Sequence, residues 1–372
     1  MQRCSQCNKL IILKSANADL CRKCYRINAE RKAQEEQARK EAKIAAVKRV
    51  FSAIEVDYNS IKEMRFNDSL DQVRRNLALC NEFEFKFKKC VSMPYITEAI
   101  SLSKNPYSPG MLQVGNLDLL PYELIDNNTI KINFDPVIER THSAASKCRL
   151  FIEQTEQFVK DLEALPKVEF AIQDDPGELP RTSPISVSMS NITVKTSRAR
   201  VSTFIAVDVE TTGLSPIYNE IIELAAVKFV DFTPKEAFHT YLKPRHGLNP
   251  SAQSVNHITE AMVDDAPYFE QILPAFNDYI SGVRAIVGHN LLFDYNFLSA
   301  KRGILFHINP HKFYDTLDIG KKEFRYHNLP NNKLSTYCEH ILNIARDDAH
   351  SALSDALATG LIFRYLCQLR IG

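Results

Sequence analysis

Hydrophobic residues recur every three or four positions in two separate parts of the N-terminal half. One such seam runs through residues 44–61 and the other through residues 151–165. This alternation is the pattern of helices that pack side by side. The members are Ile44, Val47, Phe51, Ile54, Tyr58 and Ile61 in the first seam, and Phe151, Thr155, Phe158, Leu162 and Leu165 in the second. We therefore expect two helices that pack against each other within one chain.

The amino-acid composition differs from one segment to the next around these seams. From Tyr25 to Arg49 it is rich in Ala, Glu, Gln, Lys and Arg and lacks Gly and Pro, which predicts a long exposed helix. Three phenylalanines further on alternate as in a strand, although they also fit the core of a helix: Phe83, Phe85 and Phe87. We interpret residues 26–165 as a mainly helical region. The Pro-, Ser- and Thr-rich stretch 166–202 predicts a linker.

The hydrophobic pattern becomes that of strands after residue 203. Apolar runs at Phe204–Val207, Ile221–Val230 and Ala237–Leu242 predict three sequential strands joined by short loops. A helical stretch and the apolar strand Ala285–Val287 follow, so strands then alternate with helices. This order predicts an α/β domain over residues 203–372, with a mixed sheet flanked by helices.

Composition places the chain among folded proteins with two or more domains. It has 372 residues, of which 45% are hydrophobic and 24% are charged. Its apolar runs are too short to cross a bilayer, and its N-terminus lacks the apolar core of a signal peptide, so we expect a cytoplasmic protein. Residues 1–50 hold thirteen Lys/Arg and five Asp/Glu. This basic end indicates attraction to nucleic acid or another polyanion, and a solvated helix face explains it equally well.

Four cysteines near the N-terminus form two closely spaced pairs. Cys4 and Cys7 are separated by two residues, as are Cys21 and Cys24, and thirteen residues lie between the pairs. These spacings predict a structural Zn²⁺ bound by four thiolates in residues 1–25, where the metal would supply the folding energy. The alternatives are four reduced thiols or a redox pair. All three interpretations agree with a reducing compartment.

Two acidic residues mark the end of the first predicted strand of the α/β domain. Asp208 and Glu210 follow its apolar run and precede the turn former Gly213. Residues two apart in a strand point to the same face, so the two carboxylates aim together while Val207 and Val209 face the core. Paired carboxylates suit Mg²⁺ or Mn²⁺. Because Asp-x-Glu is also common on solvated strands, a site needs further residues to complete it.

Two downstream segments can supply those residues. Asp294 falls in the first turns of a helix that we expect to begin after the N-cap Asn290 and to end near Gly303. The last predicted helix begins near His350 and carries Asp355. In a continuous helix these two side chains would differ in direction by about 140°. If His350 instead precedes the helix, its ring can approach a site that Asp355 also reaches.

Taken together, these residues resemble the three motifs of the DEDDh family of 3′→5′ exonucleases, to which the epsilon proofreading subunit of bacterial DNA polymerase III belongs. The resemblance covers about residues 203–369. The motifs are Asp208-x-Glu210-Thr211-Thr212-Gly213, His289-Asn290-x-x-Phe293-Asp294 and His350-x-x-x-x-Asp355-Ala356. A histidine at position 350, rather than a tyrosine, is typical of the DEDDh branch.

The resemblance implies a ribonuclease-H-like fold and hydrolysis of a phosphodiester with the help of two metal ions. It assigns the ligands of two Mg²⁺ or Mn²⁺ ions to the four acids Asp208, Glu210, Asp294 and Asp355. His350 would be the general base, since a histidine can accept a proton at neutral pH. Substrate contacts would come from Thr211, Thr212, Leu214 and Asn290. We expect His289 to orient its loop, and we expect His257 and Asp315 to serve packing or to lie on the surface.

The predicted activity is the release of 5′-mononucleotides from the 3′ end of single-stranded or frayed DNA, in repair or proofreading. An RNA 3′→5′ exonuclease is the alternative, because the motifs do not specify the sugar. A protein that tethers nucleic acid or another protein, with a secondary nuclease domain, is a further alternative. The N-terminal half would bind such a protein partner, and no membrane partner is expected.

Overall fold

The computed structural model describes residues 3–9, 22–66, 69–104, 108–126, 129–172, 194–195, 201–300, 312–346 and 350–369. The chain divides into two compact units. The first consists of residues 1–66 and 74–149, and the second of residues 67–73 and 150–372. Within the described residues, no helix is both long enough and apolar enough to cross a membrane.

The first unit combines helices with a small sheet. Its elements are the helices α1 (Arg22–Lys62), α2 (Leu70–Val91, mostly in this unit) and α3 (Ile96–Ala99), the strands β1 (Leu102–Lys104), β2 (Met111–Val114), β3 (Leu119–Leu124) and β4 (Ile130–Ile132), and the first half of α4 (Asp135–Ala164). The strands pair in sequential order, and every pair is antiparallel. The prediction of a mainly helical region missed this sheet, because its strands are only three to six residues long.

The three alternating phenylalanines lie in a helix. Phe83 and Phe87 are four residues apart on α2 and both are buried, whereas Phe85 is 71% exposed. The two buried rings stack with their centroids 5.4 Å apart. Helical spacing therefore decides between the two readings that the sequence left open.

The helices that carry the two seams, α1 and α4, contribute to one core as expected, but the residues of α4 in that core precede the second seam. Phe51, Ile54, Tyr58 and Ile61 are buried in the core of the first unit together with Val137, Ala144 and Ala145 from the start of α4. Phe158 and Leu165, from the end of α4, are buried in the core of the second unit. Helix α4 has 30 residues and is about 45 Å long, so its two ends contribute to different cores. A heptad seam shows that a helix face is buried but does not identify the partner.

The second unit is built on one six-stranded sheet. Its strands are β5 (Val194–Lys195), β6 (Phe204–Thr211), β7 (Ile221–Val230), β8 (Thr233–Tyr241), β9 (Ala285–Gly288) and β10 (Lys312–Asp315). The order across the sheet is β5-β10-β9-β6-β7-β8. The strands β6, β7 and β8 form an antiparallel meander, while β9 is parallel to β6 and to β10. The predicted mixed sheet is therefore confirmed.

Helices cover both faces of this sheet. They are α5 (Pro250–Asn256), α6 (Glu260–Val263), α7 (Phe269–Ser281), α8 (Leu291–Ala300), α9 (Thr316–Glu323), α10 (Leu334–Tyr337), a π-helical turn (Cys338–Leu342) and α11 (Ala352–Gln368). Alternate residues of β6 belong to two cores: Phe204 and Ala206 pack with α11, whereas Ile205 and Val207 pack with α7. The predicted helix end at Gly303 lies outside the described residues. This is the layered α/β architecture that the resemblance implies.

The start of the predicted linker belongs to the second unit. The backbone of Val168 donates to Ala237 O, and the N–H of Ala237 donates to Pro166 O, each over 2.8 Å. The ring of Phe170 stacks on Phe238 at 4.4 Å. Residues 166–172 are therefore attached to the sheet, as are Val194 and Lys195 in β5, which corrects the linker boundary. Residues 173–193 and 196–200 lie outside the described residues.

Candidate active site

Strand β6 presents Asp208 and Glu210 on one face of the sheet, as its alternation predicts. Val207 and Val209 are buried in the core beneath α7. The two acids continue the row of Phe204 and Ala206, which faces α11, and both are half-buried. Strand β6 pairs in register with β7 up to Glu210 and shifts register at Thr211. The carboxylates therefore stand at the end of β6, where its pairing with β7 becomes irregular.

The start of α11 brings two further residues to these acids. His350 lies two residues before the helix, is exposed and has the left-handed φ of 79°. Asp355 lies in the first turn of the helix. One ligand atom from each of Glu210, His350 and Asp355 can be chosen so that all three lie within 4.8 Å of one another. The histidine reaches the site because it is outside the helix, which is the arrangement that the spacing of the third motif requires.

Asp294 ties helix α8 to the same strand. It lies in the first turn of α8, is buried, and its Oδ1 accepts a hydrogen bond of 3.0 Å from the backbone N–H of Val209. Asp208 and Asp294 are outside the 4.8 Å group, but their carboxylates are close enough to interact electrostatically with Asp355. The structure thus gathers all four predicted acids at one end of β6.

The electrostatics of the four acids are unfavourable when they carry their full charge. Burial, followed by repulsion from Asp355, Asp294 and Glu210, raises the pKa of Asp208 well above its ordinary value. Burial also raises the pKa of Asp294. The pKa of Glu210 rises to about 8, again through burial first and then the neighbouring carboxylates. Clustered, partly desolvated carboxylate oxygens with this mutual repulsion are a donor set that fits hard divalent cations.

A cavity of about 570 Å³ opens beside this group. It is lined by His350, Asp355 and Arg346 on one side, by His289 and Asn290 at the start of α8, and by Leu317 and residues 332–335. A cavity of this size is within the range of small-ligand sites. Catalytic candidates and a space for a ligand therefore coincide.

Comparison with known proteins agrees with this geometry. The RNase_T family model, described as Exonuclease, matches residues 205–363. A DNA polymerase III PolC-type of Oceanobacillus iheyensis is 37% identical over 167 residues, and one of Halalkalibacterium halodurans is 39% identical over 162 residues. These matches cover 45% and 43% of this chain but only 11% of each relative.

Residues 205–363 are therefore similar to exonuclease domains. Among solved structures, that of Escherichia coli exonuclease I with a dT13 oligonucleotide is 21% identical over 46% of this chain and 42% of its own, with a TM-score of 0.38. The match to the family model begins at Ile205 and ends at Phe363, and it includes every residue of the three motifs. The first unit lies outside the match.

The second unit contains a buried acid that the sequence motifs do not identify. Glu223 pairs with Glu210 across the β6–β7 ladder. Its Oε1 lies 2.8 Å from His239 Nε2, and its Oε2 accepts a 3.1 Å hydrogen bond from the backbone N–H of Ala352, the first residue of α11. Glu223 therefore fixes the end of α11 that carries Asp355. The available signal was an acidic residue within a largely apolar run, since a buried charge requires partners.

Arg346 was also missed, and no motif identifies it. Its side chain is 2% exposed, and its Nη2 donates to both Asp355 Oδ1 and Ser354 Oγ. This ion pair places a buried positive charge beside one of the four acids. The bond to Ser354 adds a second attachment to the first turn of α11, so Arg346 helps to orient Asp355 before any cation binds.

Asp315 fixes the loop between β9 and α8 through hydrogen bonds from backbone N–H groups. Its carboxylate accepts from the backbone N–H groups of Asn290 and Leu291 at 3.0 and 3.1 Å, and from Leu317 at 2.8 Å. Asp315 therefore satisfies the starts of both α8 and α9, a structural role as expected. Asn290 has a φ of 65° and stands at the cap position predicted for it, but the cap is provided by Asp315. The side chain of Asn290 is exposed at the cavity.

His289 uses both ring nitrogens within the protein. Nε2 lies 3.0 Å from the carbonyl oxygen of Asn332 and must donate to it, while Nδ1 lies 3.0 Å from Thr316 Oγ1. Burial lowers the pKa of His289 to about 4, so the ring is neutral at pH 7. These contacts attach Asn332, just before α10, to the segment before α8, which agrees with a loop-orienting role.

The predicted substrate residues differ in their exposure. Thr211 Oγ1 donates to Gly213 O, Thr212 Oγ1 accepts from Glu220 N, and both threonines are buried. Leu214, in contrast, is 86% exposed. The threonines therefore shape the loop that projects Leu214 into solvent.

The N-terminal cysteines also come together in the first unit. Cys4, Cys7 and Cys24 have sulfur atoms within 4.8 Å of one another. The Cys4 N–H donates to Lys9 O and the Asn8 N–H donates to Cys4 O, which folds a tight turn around the first pair. Cys21 lies outside the described residues. Three thiolates at this spacing form a donor set that fits Zn²⁺.

The mutual repulsion of the acids predicts how stability depends on pH. In the absence of metal, Glu210 is protonated in the folded state up to about pH 8 but ionises near 4.5 when unfolded. The folded state then binds more protons in this window, so the contribution of Glu210 to stability is lost as pH rises from 4.5 to 8. In EDTA, the melting temperature of Glu210→Gln minus that of wild type should therefore increase as pH rises from 5 to 8. A constant difference across this range would contradict the prediction.

Proposed function

We propose that the chain is a metal-dependent 3′→5′ exonuclease that hydrolyses single-stranded or frayed DNA and releases 5′-mononucleotides. The observation that carries this proposal is the convergence of Glu210, His350 and Asp355 within 4.8 Å, with Asp208 and Asp294 beside them. The PolC-type relatives are named as DNA polymerases, which favours DNA as the polymer and proofreading or repair as the context.

In this proposal the four acids hold two Mg²⁺ or Mn²⁺ ions at the end of β6. Such ions, when bound, supply positive charge that activates water and stabilises the charge developing on the phosphodiester. Asp294 is fixed by the backbone of β6, and Asp355 is fixed by Arg346, so these two carboxylates are oriented in advance.

His350 accepts the proton of the attacking water in this proposal. It is exposed, it precedes α11, and it lies beside Glu210 and Asp355. Transfer of a proton from water to this imidazole would generate the attacking hydroxide. His289 is a poorer candidate, because both of its ring nitrogens are already hydrogen-bonded to the protein.

The terminal nucleotide is placed between the projecting loop and the cavity. Leu214 offers an exposed apolar surface to a base, and Asn290 offers an amide at the cavity wall. Thr211 and Thr212 support the loop that carries Leu214.

The direction and product of cleavage test this proposal. We expect 5′-labelled single-stranded DNA to shorten stepwise with Mg²⁺ or Mn²⁺, while 3′-labelled DNA releases labelled 5′-mononucleotide first. A matched RNA strand in the same assay measures the preference for the sugar. Shortening from the 5′ end, or endonucleolytic fragments alone, would contradict the proposal. Faster shortening of RNA than of DNA would reassign the substrate and keep the chemistry.

We also propose a structural Zn²⁺ held by Cys4, Cys7, Cys24 and Cys21. Full-length protein should bind one zinc per chain, and Cys24→Ser should lose it together with the fold of the N-terminal turn. Elemental analysis and limited proteolysis measure the two effects. Cys90→Ala, which removes a buried thiol on α2 of the same unit, is the matched control and should keep the zinc. Full zinc content in Cys24→Ser would contradict the site.

A further inference from the structure

A basic and aromatic segment follows the start of α9. Residues 318–333, which we call the basic segment, contain four Lys/Arg and two Asp/Glu. The guanidinium of Arg325 lies 4.7 Å from the ring centroid of Tyr326, and that ring is 79% exposed. An exposed tyrosine stacked with an arginine resembles the surfaces on which nucleobases stack.

The basic segment is continuous with the catalytic cavity. Lys333 lines the same cavity as His350 and Asp355. The positive charge of Lys321 contributes to the lowered pKa of His289, which lies in the cavity wall. Cationic side chains therefore extend from the cavity along α9 and the loop that follows it.

The basic segment is also firmly supported. Phe324 is buried, with its ring 5.0 Å from that of Tyr337. The Tyr337 hydroxyl donates to Asn332 Oδ1, and the Thr336 hydroxyl donates to Asn331 Oδ1. A surface that is already fixed by packing and hydrogen bonds loses little conformational entropy when a ligand binds to it.

We propose that the basic segment is the binding track for the nucleotides that precede the cleaved one in a single strand. Tyr326 stacks on a base, while Lys321 and Lys333 contact phosphates. The inference rests on the proposed function, because it takes the cavity as the place where the 3′ end is cut. Charge supports this occupant: residues 200–372 carry sixteen Lys/Arg and nineteen Asp/Glu, so the net positive basic segment stands out within an acidic domain.

The test compares a short and a long substrate. We expect Tyr326→Ala in the full-length chain to lower kcat/KM for a 12-nucleotide oligothymidylate about tenfold more than for a dinucleotide, since one stacked base is lost. Affinity for a fluorescent 12-mer, measured by anisotropy with Ca²⁺ in place of Mg²⁺, should also fall about tenfold. The double variant Lys321→Ala/Lys333→Ala should reduce the slope of log K against log salt by about 1.4, or roughly 0.7 for each phosphate contact.

Two matched controls lie outside the basic segment. Phe85→Ala removes an exposed aromatic ring of the first unit, and Lys235→Ala removes an exposed lysine at the start of β8, the end of the sheet away from Glu210. Both should behave as wild type. Wild-type binding and cleavage of the 12-mer by Tyr326→Ala would overturn the track. If wild type binds the 12-mer through the basic segment but releases no mononucleotide with Mg²⁺ or Mn²⁺, the track stands and the proposed function fails.

Discussion

Asp208→Asn should lower the rate of DNA hydrolysis about a thousandfold while it raises the melting temperature of the metal-free protein. The activity falls because metal-assisted charge stabilisation is worth several kcal/mol, and each 1.36 kcal/mol is a factor of ten in rate. The stability rises because one member of a repelling group of buried carboxylates is removed. Single-turnover cleavage and thermal unfolding in EDTA measure the two effects.

The opposite signs separate this prediction from simple misfolding. A variant that failed to fold would lose both activity and stability. Asp278→Asn is the matched control, because Asp278 is exposed on α7 and belongs to neither the acid cluster nor the cavity wall. It should change neither quantity. Activity of Asp208→Asn within tenfold of wild type would contradict the assignment of Asp208 as a metal ligand.

His350→Gln should lower kcat about a hundred- to ten-thousandfold, the usual contribution of a positioned general base. Glutamine keeps a polar side chain of similar length but cannot act as that base. Single-turnover rates at saturating Mg²⁺ measure the loss.

The control for this prediction is His246→Gln. His246 is 81% exposed and interacts with Glu220, outside the acid cluster. It should keep the rate of wild type. If His350→Gln loses less than tenfold, another group accepts the proton and His350 has a different role.

Local spacing predicted where the structure places three residues of the candidate site. The period of two in β6 correctly placed Asp208 and Glu210 on one face, and the spacing from His350 to Asp355 correctly required the histidine to precede α11. These features depend only on residues that are neighbours in the chain. The sequential strands β6, β7 and β8 were predictable for the same reason.

Features that depend on distant partners were not predictable. The seam of α1 was correctly expected to be buried, but its partners on α4 are Val137, Ala144 and Ala145 instead of the later seam. The short strands of the first unit carry too few residues to show a clear period. Arg346 acquires its role only when the loop before α11 brings it to Asp355. Each of these relations joins residues whose proximity is set by tertiary packing.

The roles of individual polar residues near the cavity also required the structure. The sequence predicts Asn290 as the N-cap of α8. In the structure, Asp315 on the neighbouring strand provides the cap, and the Asn290 amide faces the cavity. The first motif predicts that Thr211 and Thr212 contact the substrate. In the structure, their hydroxyls instead form hydrogen bonds within their own loop. Local propensity cannot decide which of several possible hydrogen-bond partners a side chain takes.

The most direct test of the four-carboxylate site is cleavage of end-labelled single-stranded DNA by wild type and by Asp208→Ala, each with Mg²⁺, with Mn²⁺ and with EDTA. Wild type should shorten the strand stepwise from the 3′ end with either cation. No shortening should occur in EDTA or with Asp208→Ala. Equal cleavage by Asp208→Ala, or undiminished cleavage by wild type in EDTA, would contradict the four-carboxylate site.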